Sequence, residues 1–241
     1  MKNSKHILNG NPAQRLYDIL DQLHKSPTNI QCRRVWAEVF EVSSHLEIHE
    51  KLGSFIRLAI EAHDSICKEF PSQKTAADIW LKEIETAFSS HSMNTEFLHF
   101  RGHLTVTSLH LLGAAAELLN ERDPAVLTTI FIDETIEECS AIIEALNESD
   151  IDLHVKQYLL KSLTSLIYNL RNYKIGGPLP IMNAADQLAG HMLFDQGYRE
   201  AILKTPIGER ISTVMQNIAN VVTVFGPVAP LLYAETAKLL G

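Results

Sequence analysis

Eleven histidines in 241 residues are the side chains best suited to chemistry, because an imidazole exchanges a proton near neutrality and binds transition metals. Their spacing carries more than their number. His45 and His49 lie four apart, and His99, His103 and His110 follow in one later stretch. Two histidines four apart on a helix share a face and can share an ion. If residues 96–120 form one helix, His99, His103 and His110 fall within about 40° of one another. Glu96 then lies on their side, while Phe97, Leu104, Leu111, Leu112 and Leu119 face the other way. Packed beside the His45 helix, that stripe would gather His45, His49, Glu96, His99 and His103 around a divalent transition metal. This is the one cofactor that the sequence suggests.

Several shorter patterns resemble fragments of known sites. Glu96-Phe97-Leu98-His99 resembles one of the two Glu-x-x-His motifs of ferritin-like di-metal bundles, and the second is missing. His63-Asp64, after the apolar Leu58-Ala59-Ile60, resembles the His-Asp pair of all-α HD phosphohydrolases, in which a metal activates water. The upstream His and downstream Asp of that family find no counterpart here. Arg57 and His63 resemble the nuclease motif of HEPN domains, with Leu58 where that motif favours a polar residue. Glu134 and Glu137 resemble the first Glu-x-x-Glu of helical nucleotide pyrophosphohydrolases, but Asn147 stands where an acid would complete the second half. No Walker loop, dinucleotide fingerprint, Gly-x-Ser-x-Gly or Cys-x-x-Cys occurs. The expectation is a binding protein rather than an enzyme, with a metal-dependent hydrolase on the histidine-rich helices as the alternative.

The elements that must position these residues are helices. Ile132, Ile136, Cys139, Ile143 and Leu146 recur at steps of four and three, as do Leu159, Leu163, Leu166, Leu170 and Tyr173. That spacing lays apolar groups along one stripe of a helix. Asn11 before Pro12, Asp123 before Pro124, and Asp150 mark helix starts. The pattern predicts an all-α fold of nine or ten helices with mostly antiparallel neighbours. Their spans are 12–24, 30–50, 52–69, 75–89, 96–120, 124–146, 152–174, 181–196, 207–225 and 228–240. The polar run 89–95 and the Gly176-Gly177-Pro178 break divide the chain. Two readings follow: an N-terminal region of residues 1–92 with a C-terminal region of residues 93–241, or one domain over 1–241. The run Leu170 to Gly177 resembles a segment of uncharacterised helical bacterial proteins, a resemblance that implies no activity.

Composition points toward a protein partner. Hydrophobic residues make up 46% and the formal net charge is −8, which excludes disorder and disfavours nucleic acid as a ligand. Eleven acids and one base lie between Glu117 and Asp152, and Glu134, Glu137 and Glu138 are the portion of that face expected to meet a partner. No charge occurs from Ile211 to Ala234. This stretch is expected to form an apolar helical hairpin, 207–241, turned at Gly226-Pro227, which is either the buried heart of the fold or a surface that offers Val221, Val224, Phe225, Leu231 and Leu232 to another protein or to a second copy. Insertion into a membrane is a further reading, against which Asn220, Gly226 and Pro227 argue. An odd set of three cysteines and an N-terminus without an apolar run lead to the expectation of a cytoplasmic accessory subunit.

Overall fold

The computed structural model describes residues 7–90, 92–121 and 126–223. Among these residues twelve α-helices are joined by one 3-10 turn and two strands of three residues each. The chain is therefore all-helical in class. Contacts gather it into two units, residues 9–124 and residues 125–241 with 1–8. The division lies far beyond the polar run at 89–95, because the helices after that run bury their apolar sides in the first unit.

The first unit holds α1 (Pro12–Lys25), α2 (Cys32–Val39), α3 (His45–Glu69), a 3-10 turn (Pro71–Gln73), α4 (Lys74–Ser89), α5 (Phe97–Arg101) and α6 (Val106–Asn120). Asn11 caps α1 by accepting from the amides of Ala13 and Gln14. Its Nδ2 donates to the Ala116 carbonyl at 2.8 Å, which ties the start of α1 to α6. Trp36 is the centre of the core, with Phe40, Phe55, Phe88, Phe97 and Phe100 at ring-centroid distances of 5.1–6.5 Å. Such stacked, tilted and edge-on pairs add about 0.5–1.5 kcal/mol each to the area they bury.

Two predicted helices are broken here. The span 30–50 ends at Val39, where Glu41 takes φ of 55° and the Val42 amide returns to the Ala37 carbonyl at 3.0 Å. That is a Schellman stop built without glycine. Ser44 and Glu47 then form a capping box that starts α3, and α3 runs unbroken past residue 51 for 25 residues. The span 96–120 ends at Arg101. Thr105 restarts it by capping α6 through Ser108, and the Glu83 carboxylate accepts from the Thr105 amide at 2.8 Å and from its hydroxyl at 3.0 Å.

The second unit takes in all but the last residue of β1 (Ile7–Asn9), which pairs with β2 (Val126–Thr128). It continues with α7 (Thr129–Glu148), α8 (Leu153–Arg171), α9 (Tyr173–Gly176), α10 (Leu179–His191), α11 (Gln196–Lys204) and α12 (Pro206–Thr223). The four-three stripes do what their spacing predicts. Ile132, Cys139 and Leu146 of α7 and Leu159, Leu163, Leu166 and Leu170 of α8 are buried in one cluster with Ile211, Val214, Met215 and Ile218 of α12. Gly177, with φ of 69°, turns the chain after α9. Helix α11 is absent from the predicted spans, and α12 supplies core, one of the two roles expected of the apolar segment. The rest of the predicted hairpin, 224–241, lies outside the described residues. No described helix is long and apolar enough to cross a membrane.

Candidate functional site

The break at Gly102 removes the predicted histidine stripe. Glu96 sits in an isolated bridge to Gln31, His99 belongs to the five-residue α5, His103 to the turn after it, and His110 to α6. His45 and His49 keep the expected four-residue relation, with ring centroids 4.7 Å apart on the exposed first turns of α3. Among the described residues, no three or more His, Cys, Asp or Glu side chains gather in a group that would hold a metal ion.

The His63 constellation is more connected than its sequence implies. Its Nε2 meets Asp78 Oδ1 at 2.8 Å, and its Nδ1 lies 3.4 Å from Asp64. Lys74 Nζ donates to Asp78 at 2.7 Å. Cys67 Sγ stands 3.6 Å from Nε2 and 3.9 Å from Nδ1. A Cys-His nucleophile needs the sulfur on one ring nitrogen and the orienting acid on the other. Here the sulfur is nearly equidistant from both, and Asp78 holds the nitrogen nearer to it. Burial raises the Cys67 thiol above its ordinary range, with Lys74 opposing. The Lys74 ammonium, and then His63, hold Asp78 below the usual carboxylate range. The group links α3 to α4. Arg57, six residues before His63, projects about 120° away around the helix and is exposed.

The acidic helix is α7. Glu134 and Glu137 are exposed, whereas Glu138 is half-buried and accepts from Arg210 Nε at 2.8 Å. Glu134, Glu138 and Arg210 edge a cleft of about 440 Å³ that Phe131, Thr135 and Thr213 complete. Cys139 lies behind them, fully buried, and burial pushes its thiol up to about 12. Val221 is half-buried and packs against the core. Val224, Phe225, Leu231 and Leu232 lie outside the described residues.

The surface that sequence reasoning missed lies where α8 begins and α10 turns into α11. Asp195 caps α11 by accepting from the Tyr198 amide at 2.9 Å. The same side chain stands between two histidines, with His191 Nε2 at 3.5 Å and His154 Nε2 at 3.9 Å from its Oδ2. The Tyr198 amide, and then the two imidazoles, hold the Asp195 carboxyl below its ordinary range. His191 stacks on Tyr158 at 3.7 Å, and Tyr198 meets it edge-on at 4.9 Å. Beside this ordered polar centre the chain exposes large apolar groups. Leu153 is 67%, Leu193 55% and Phe194 87% exposed. A groove of about 540 Å³ opens between the start of α8 and α11, lined by Asp152, Val155, Gly197 and Ala201 with Ile151, Pro206 and Ile207. The signal in the sequence is Leu193-Phe194 directly before a capping Asp, and it is hidden because 181–196 passes for one helix. Compared with protein-family models, with curated proteins and with solved structures, the chain matches none of them.

Proposed function

We propose that the protein is a binding module, an accessory or regulatory subunit whose ligand is another protein, and that this ligand docks on the second unit around Phe194. The observation that carries the reading is the exposure of that ring, 87%, on a turn that is held in shape. Arg199 donates to the Met192 carbonyl at 2.8 Å and to the Leu193 carbonyl at 3.4 Å, and Asp195 caps the helix that follows. Burying such a side chain is worth about 1.5–3 kcal/mol. A turn already ordered gives up little entropy when it binds. A few large, well-ordered side chains of this kind carry most of the binding energy at an interface.

Glu134 and Glu137 support a second component, electrostatic attraction of a basic surface. The second unit, over residues 126–223, carries twelve acidic and seven basic side chains. Its environment is proposed to be the reducing cytoplasm, which the three unbridged cysteines favour.

The experiment is affinity capture from the native host with wild-type, Phe194→Ser and Leu153→Ser baits. A protein retained by the wild type and lost from both variants, with unchanged helical circular dichroism, supports the reading. Equal capture by all three baits overturns it. Raising salt from about 50 to about 500 mM should weaken the complex if the acidic face takes part, because exposed charges are screened over about 10 Å or less.

A further inference from the structure

Helix α3 carries two seams. The inner one, Ile48, Leu52, Phe55, Ala59, Ala62 and Ile66, is buried in the first unit. The outer one, Leu46, His49, Gly53, Ile56 and Ile60, repeats at steps of three, four, three and four and is exposed at every position. Leu46 is 79%, Ile56 40% and Ile60 49% exposed. A Cβ at Gly53 would meet nothing within 4 Å, so the middle of this seam is bare backbone facing open space. Steps that average 3.5 residues are the spacing of a helix seam made to face another helix. Glu50 and Arg57 flank it on one side, seven residues apart and so at the same place in the repeat.

We propose that a second copy of this chain lies on the outer seam of α3, antiparallel to it, with the two-fold axis passing between Gly53 and Ile56. The seam is complementary to itself in shape and in charge only in that orientation. Gly53 faces the partner's Ile56, so a large side chain enters the space that the glycine leaves empty. Ile60 faces the partner's His49. Glu50 comes beside the partner's Arg57, and Arg57 beside the partner's Glu50. The two-fold repeats each relation, as an isologous interface requires. A parallel copy in register would carry Glu50 and Arg57 to opposite sides of the pair from their own copies, so that they could not pair, and would leave Gly53 facing glycine.

The test is sedimentation equilibrium of the full chain, expected to give twice the 27.0 kDa mass of one chain. Ile56→Asp with Ile60→Asp should give a monomer with unchanged helical circular dichroism, since both positions are exposed. Arg57→Glu should raise the dissociation constant about tenfold, because two exposed ion pairs become repulsive contacts. Adding Glu50→Arg to it should restore the wild-type value. A chain that sediments as a monomer at concentrations well above the micromolar range overturns the proposal. So does a dimer that none of these substitutions weakens, or a charge-reversal double variant no tighter than Arg57→Glu alone.

Discussion

Gly208, in the first turn of α12, lies so close to the end of α11 that a Cβ added to it would overlap the Ile202 carbonyl oxygen. Thr205 holds this corner from both sides. Its hydroxyl donates to the Ala201 carbonyl at 2.6 Å and accepts from the Gly208 amide at 3.0 Å. The obstacle is backbone, which no rotamer change can move aside. Gly208→Ala should therefore cost about 3 kcal/mol, at the upper end of overpacking. A thermal melt followed by circular dichroism reads it, and an unchanged midpoint would mean that the corner opens freely.

Glu41 should respond in the opposite sense. Its φ of 55° places a side chain in the left-handed region that glycine occupies without strain. Strain of this kind costs about 1–3 kcal/mol, and glycine also makes the unfolded chain freer, which offsets some of the gain. Glu41→Gly should raise stability by about 1 kcal/mol in urea unfolding. A lower midpoint would show that the contacts of the Glu41 side chain outweigh its backbone strain.

Thr105 tests how the second broken helix restarts. Its side chain caps α6, and Glu83 holds its amide and hydroxyl. Thr105→Ala should cost about 1 kcal/mol, the ordinary worth of an N-cap. Glu83→Gln should cost less, because an amide oxygen still accepts. Equal losses from both would assign the effect to the carboxylate charge.

These positions also explain which features are legible in the sequence. The α7 and α8 stripes can be read because burial enforces a helical period that any sequence must display. The stop at Glu41 cannot, since its signature residue is glycine and the chain places a charged side chain there instead. Thr105 is readable as a cap, but Gly102 and Thr105 sit inside an apolar period that looks continuous. That apparent continuity is what creates the histidine stripe. The Asp195 cap is concealed in the same way, and with it the exposed Phe194. Contacts such as His63 to Asp78, fifteen residues apart on two helices, follow from packing angles that spacing along one helix does not encode.

Asp195 gives a pH-dependent prediction. Its carboxyl titrates below the ordinary value of 3.8 in the folded chain, chiefly because it accepts from the Tyr198 amide, with His191 and His154 adding to the effect. Unfolding returns it to that ordinary value. A depressed acid contributes stability above its unfolded value and loses it as the pH falls through the folded one. Asn at this position keeps a capping oxygen but carries no charge. Wild type should therefore exceed Asp195→Asn in urea stability at neutral pH. The gap should hold down to about pH 4, narrow below it, and close once the folded carboxyl is protonated. Unfolding midpoints measured through that window decide the matter. A gap of constant size down to the acid limit would assign the loss to cap geometry, and the two histidines would then hold Asp195 through packing rather than charge.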